Sequence, residues 1–225
     1  LGDSQVTLLD TPGHVDFSAE MERVLQVLDY AVLLISGSDG VQGHTQTLWN
    51  LLQQYEIPTF LFVNKMDQPG ADQAAVMTEL KERLSEGCID FSTSSVLADA
   101  VTTDITDEKK GYDAGTSQKQ TITLNKNTDQ NGLSLETWYE ELATCQEEAL
   151  EAYLETGTVS DVQIRAMIRE REVFPCYFGS ALKMEGIEAF LNGFEFWTEE
   201  ATYPSKFSAK VYKISRDEQG NRLTH

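Results

Sequence analysis

Apolar and polar positions along the chain alternate between two rhythms. Gln5–Asp10 (QVTLLD), Ala31–Ser36 (AVLLIS) and Thr59–Val63 (TFLFV) are short runs rich in β-branched and large apolar residues, and they read as buried strands. Between and after them, apolar residues recur at helical spacing. Phe17, Met21, Val24, Leu25 and Leu28 predict one helix; Leu48, Leu51, Leu52 and Tyr55 a second; Ala71–Leu84 a third. Strands alternating with helices imply a parallel sheet covered by helices, an α/β fold.

The alternation then breaks. Cys88–Asn131 is polar and rich in Thr, Ser, Asp and Gly, and reads as weak strands and loops. A long helix is expected next, with Leu135, Trp138, Tyr139, Leu142, Leu150, Tyr153 and Leu154 on one face. Ser160-Asp-Val-Gln163 is a capping-box signature for a shorter helix. Val173–Gly179 reads as the sheet resuming beside Thr59–Val63, and Ile187, Phe190, Leu191, Phe194 and Trp197 as a helix packed on it. Lys206–Ile214 alternates as a strand before the turn Asp217–Asn221, the opening hairpin of a β domain. The expected units are therefore 1–87 and 173–203 as two parts of one α/β domain, 88–172 as an α+β insertion, and 204–225 as the first hairpin of a β-barrel. With Leu1 leading straight into a strand and His225 inside one, the chain reads as a piece of a longer protein.

Composition narrows the picture little. At 40% hydrophobic and 24% charged the chain is of ordinary globular make-up. No apolar run approaches the ~20 residues of a membrane span. The net charge of −20 argues against non-specific binding of DNA or RNA by this chain alone. Cys88, Cys145 and Cys176 lie far apart and lack metal-ligand spacing, as do His14, His44 and His225, so reduced thiols in a cytoplasmic setting are expected.

Three motifs carry candidate chemistry. Asp10-Thr-Pro-Gly13 falls at the carboxyl end of a predicted strand, where open α/β sheets bind ligands. A carboxylate there can face a magnesium hydration shell, and a glycine lets a backbone N–H approach a phosphate. A Pro-Gly turn closing a strand has the same sequence. Asn64-Lys65-Met66-Asp67 follows another strand. A carboxylate there can accept from guanine N1–H and its exocyclic amine, a pair that adenine lacks. Such a tetrad arises by chance in about 3% of chains this long, assuming equal residue frequencies. Ser180-Ala181-Leu182-Lys183 follows the resumed strand, and its small residues allow backbone N–H groups to reach guanine O6. Alone it is also an ordinary strand-to-helix loop.

In this order, each at a strand end, Asp10-Thr-Pro-Gly-His-Val-Asp-Phe17, Asn64-Lys-Met-Asp67 and Gly179-Ser-Ala-Leu-Lys183 resemble the motifs of the translational GTPases. Elongation factor G and the tetracycline-resistance ribosomal protection proteins are the most similar branches, and the resemblance covers nearly the whole chain. It implies a P-loop-NTPase-like (Ras-like) G domain that binds GTP or GDP with Mg2+. His14 would orient the attacking water as the catalytic residue. Asp10 would face magnesium through water, and Pro12 and Gly13 would lie at the γ-phosphate. Asn64, Lys65, Asp67, Ser180, Ala181 and Leu182 would hold the base. The implied partner is the ribosome, through large-subunit rRNA and stalk proteins, with no membrane and no DNA.

One departure is as informative. No Gly-x-x-x-x-Gly-Lys-[Ser/Thr] occurs; Gly37-Ser-Asp-Gly40-Val-Gln-Gly43 has no lysine and the wrong spacing, and reads as a connecting loop. A chain without that phosphate loop is expected to be folded but catalytically inert, and GTP and Mg2+ to need an additional N-terminal segment. Asp39-Gly-Val-Gln42, Gln46-Thr47 and Asp67-Gln68 look more like the ribosomal protection proteins than elongation factor G, which usually carries arginine after the tetrad. From Glu136 to Asp161 there are eight acidic residues and no basic one, which argues against a purely electrostatic contact with an acidic stalk protein. A non-catalytic ribosome-interaction module remains the alternative of another class.

Overall fold

The computed structural model describes residues 5–11, 23–92, 135–200, 205–206, 209 and 211–224. Four parallel strands, β1 (Ala31–Ser36), β2 (Thr59–Asn64), β3 (Cys88–Asp90) and β4 (Phe174–Phe178), form one sheet in the order β1-β2-β4-β3. Leu61–Val63 of β2 pair with Cys176–Phe178 of β4, so the sheet resumes where the sequence placed it. β2 and β4 are covered on both faces and are almost wholly apolar, as the central strands of a parallel sheet must be.

Helices fill both faces. Leu33, Ile35, Leu61, Val63, Cys176 and Phe178 point to one side and pack with Trp49 of α1 (Gly43–Gln54) and with Val76 and Leu80 of α2 (Gln73–Arg83). Phe60, Phe62 and Tyr177 point to the other. They meet α3 (Leu135–Ala143), α4 (Glu147–Thr156), α5 (Asp161–Arg169) and α6 (Ile187–Trp197). The Asp72 carboxylate caps α2, accepting from Ala74 N and Ala75 N, and Ser160 caps α5 through Gln163 N.

Several expectations change. Gln5–Asp10 forms no strand; it is irregular and open to solvent, with Leu8 85% exposed. Among the described residues nothing pairs with the outer side of β1, and an apolar run without a ladder partner has no reason to hold a strand. Val32 and Leu34 of β1, 38% and 66% exposed, lie on the sheet face opposite Leu33 and Ile35. The sheet does not leave off at residue 88: Cys88–Asp90 is a strand of it, paired with Phe174–Cys176. Helices α3 to α5, assigned to an insertion, share one core with β2, β4 and α6. The expected long helix is two. Gln146 is extended, Thr144 Oγ1 turns back to Glu141 O at 2.7 Å, and Leu154 ends on the solvent side.

The final strand sits later than its alternation suggested. Ile214–Arg216 (β5) pairs antiparallel with Arg222–Thr224 (β6) around a turn held by the Asp217 carboxylate. Of the first predicted helix, Arg23–Leu25 are helical; Phe17 and Met21 lie outside the described residues, as do 93–134 of the polar stretch.

Candidate functional site

Parallel strands place all their carboxyl ends at one edge, so the loops after β1, β2 and β4 meet there. The loop after β2 is pinned from both sides. Asn64 O accepts from Gly37 N at 2.7 Å, and Met66 N donates to Gly179 O at 3.0 Å. The Asn64 side chain does more. Its Oδ1 accepts from Lys65 N at 2.8 Å and from Ala181 N at 2.9 Å, bracing its own loop and tying it to a loop 117 positions away. Lys65 takes a left-handed backbone (φ 65°), which turns its side chain into solvent at the loop crest.

The loop after β4 is closed on itself by a reciprocal pair, Ser180 N to Glu185 O at 3.0 Å and Glu185 N to Ser180 O at 3.1 Å. Closure requires glycine at both ends. A methyl at Gly179 would stand 3.1 Å from Phe62 Cζ and press on the Glu185 carbonyl, and Gly186 sits at φ 74°. The crest Ala181–Lys183 is thereby held out in solvent, with Leu182 90% exposed.

Asp67 joins the two loops. Its backbone is open to solvent, but its carboxylate is tucked in, the side chain 16% exposed. A hydrogen bond from the buried Ser180 hydroxyl is the main reason its carboxyl titrates below the ordinary 3.8; partial desolvation opposes this, and the Lys183 ammonium adds to the lowering. Lys183 Nζ stands 3.6 Å from Asp67 Oδ2. The arrangement presents an ionised carboxylate beside backbone N–H groups on a crest, an acceptor-and-donor edge of the kind a purine-like base can read.

A scan against protein families matches residues 2–200 to the elongation factor Tu GTP-binding domain. The chain belongs to that family. Its sheet and helices are accordingly those of a P-loop-NTPase-like G domain. Among curated relatives of this G domain is the oxytetracycline resistance protein of Streptomyces rimosus, 33% identical over 232 aligned positions. The alignment takes in 100% of this chain and 32% of that protein, so the chain spans about a third of the relative's length.

Of the sequence-predicted residues, the G domain brings Asn64, Asp67, Ser180 and Ala181 into direct contact, with Lys65 and Leu182 on the two crests. Asp10 is exposed on an irregular segment rather than at a strand end. Pro12, Gly13 and His14 lie outside the described residues. For magnesium, one exposed carboxylate falls short of the oxygen set that ion needs, and no cluster of three His, Cys, Asp or Glu occurs among the described residues.

Sequence reasoning used Gln68 only as a mark of the family branch and missed its contact with Ser38. Ser38 Oγ donates to Gln68 Oε1 at 3.2 Å, linking the loop after β1 to the base-side loop. The glycine-rich Gly37–Gly43 is indeed this connecting loop, with Gly40 at φ 65°. A concavity of about 690 Å³, lined by Trp49, Glu56, Arg171 and Phe174 among others, lies at the amino ends of β2 and β4, away from these loops.

Proposed function

We propose that this chain is the base-reading part of a guanine-nucleotide site in a ribosome-associated translational GTPase, of the ribosomal protection type. The observation that carries this reading is the Asn64–Ala181 hydrogen bond, which sets the Asp67 carboxylate and the Ala181 crest side by side. Asp67 then accepts from guanine N1–H and the exocyclic amine, the crest N–H of Leu182 faces O6, and the Lys65 stem covers the ring. When bound, GTP supplies the phosphoryl group that is transferred to water. Pro12 and Gly13 serve the γ-phosphate side, and His14 orients the water.

Ribosomal protection is favoured over elongation factor G proper by two features. The similar Streptomyces protein is named for oxytetracycline resistance. Gln68 also works here as an acceptor for Ser38, a role that an arginine, which only donates, cannot take. The ribosome, through large-subunit rRNA and stalk proteins, is the proposed partner, in the cytoplasm; no helix among the described residues is long and apolar enough to cross a membrane.

The test is a base swap in the full-length protein. Asp67→Asn is expected to weaken GTP binding roughly 30-fold or more by removing a charge-assisted pair of hydrogen bonds. It should improve binding of xanthosine triphosphate, whose O2 carbonyl replaces the guanine amine. Unchanged GTP affinity in the variant would reject the assignment.

A further inference from the structure

We infer that Lys183 is a displaceable counter-ion for Asp67, and that guanine must exchange places with its ammonium to reach the carboxylate. The inference rests on the guanine-site reading above and adds a residue which that reading leaves idle. Asp67 is approached from two sides. On one side is Ser180, whose hydroxyl favours the charged carboxylate; Ser180 is 1% exposed, so it belongs to the loop's framework. On the open side stands Lys183, its side chain 52% exposed against 16% for Asp67. The ammonium therefore occupies the solvent-facing approach to the carboxylate, the direction from which a base arrives.

The pair is positioned by the loop yet weakly held. Lys183 N donates to Ser180 O at 3.1 Å inside the clamp made by Ser180 and Glu185, which fixes where the lysine stem begins. Nζ to Oδ2 is 3.6 Å, beyond a charge-assisted hydrogen bond, so the ammonium neutralises Asp67 through space. A carboxylate has about four acceptor positions, and the Ser180 hydroxyl and the Asp67 backbone N–H draw on two of them. Guanine needs two more in one plane, on the side where Lys183 stands. The empty site is thus stabilised by the contact that binding must break, and Lys183 weakens guanine binding while sparing the free protein an unpaired, half-covered carboxylate.

The test uses the full-length protein and GDP as the probe. An exposed pair of this kind is worth little, so Lys183→Ala should tighten GDP binding about two- to fivefold at low salt. The gain should shrink at about 1 M salt, where screening already frees Asp67 in the parent protein. Lys183→Gln, which keeps most of the stem, should behave as Lys183→Ala does. In the Asp67→Asn background, with xanthosine diphosphate as probe, Lys183→Ala should give no gain, because the carboxylate it guards is gone. Weaker or unchanged GDP binding in both Lys183 variants would overturn the inference, as would an equal gain in the Asp67→Asn background. A parent protein that binds GDP but fails these comparisons rejects the counter-ion alone. A parent that does not bind GDP rejects the guanine site, and the counter-ion with it.

Discussion

Asn64 Oδ1 holds the Ala181 N–H at 2.9 Å, so a side chain at the end of β2 fixes the backbone of the loop after β4. Its second acceptance, from Lys65 N, fixes its own loop, and no other residue type of similar size presents this carbonyl without a charge. Asn64→Ala removes both bonds and leaves two backbone N–H groups to find water. We expect a loss of about 1–2 kcal/mol of stability in urea titration. Guanine-nucleotide affinity should fall further than that stability change would imply, because Asp67 and Ala181 lose their mutual register.

Much of this site was legible in the sequence, and the reason is local. A polar tetrad at the end of an apolar run announces a loop at a sheet edge, and parallel topology then brings such loops together. Cys88–Asp90 was not legible as a strand, because three residues opening a polar stretch carry no periodicity. The break between α3 and α4 was missed because Leu150 and Leu154 continue the apolar spacing of α3 but face solvent. Gln5–Asp10 has the composition of a strand and, among the described residues, no partner that would make it one. The Ser38–Gln68 bond joins two polar side chains 30 positions apart, and nothing in either segment signals the other.

Helix α6 crosses the sheet at Gly193, where a methyl group would stand 2.7 Å from Tyr177 Cζ. Tyr177 is 1% exposed and its hydroxyl has no hydrogen-bond partner among the described residues; burial pushes its phenol well above the usual range. Gly193→Ala should therefore destabilise by about 1–3 kcal/mol through overpacking, despite alanine's better helix propensity. Tyr177→Phe removes a buried polar atom that bonds to nothing. It should leave stability unchanged or raise it by up to about 1 kcal/mol. Thermal unfolding of the two variants checks both signs.

Asp67 titrates below 3.8 in the folded protein because the Ser180 hydroxyl and, less strongly, Lys183 favour its charged form. A carboxyl lowered on folding contributes stability that is fully present above its unfolded pKa and is lost as pH falls through the folded value. The Asp67 contribution should thus be constant from neutral pH down to about pH 5 and disappear only below 3.8. Ser180→Ala should bring the carboxyl back toward the ordinary value. NMR titration of the Asp67 side-chain carbonyl in both proteins measures the shift.

The three thiols should differ sharply from an exposed cysteine. Cys88 and Cys176 are fully buried, and burial pushes the Cys145 thiol up to about 11. At pH 8 about one thousandth of Cys145 is thiolate, against roughly a quarter of a free cysteine. Labelling with a chromogenic disulfide should therefore be slow at Cys145. At Cys88 and Cys176 it should be limited by unfolding, with all three reacting at once in denaturant.

The 225-residue polypeptide itself is expected to show no measurable GTP turnover, with or without ribosomes. It holds no Gly-x-x-x-x-Gly-Lys-[Ser/Thr], and loss of one major electrostatic contact to a transferring phosphoryl group costs roughly 3–4 kcal/mol. Phosphate release assays on residues 1–225 and on the full-length protein decide the matter. Ribosome-stimulated hydrolysis by the 225 residues would point to another phosphate site.

Val32 and Leu34, uncovered on the strand outermost among the described residues, set a colloidal balance for this polypeptide. Two copies that stack these sheet faces on one another would bury an oily stripe. Opposing them is a net charge of −20 on each copy, felt across about 10 Å at 0.1 M salt and across only about 3 Å at 1 M. The polypeptide should stay dispersed in dilute buffer and self-associate as salt rises, the reverse of a protein held together by charge.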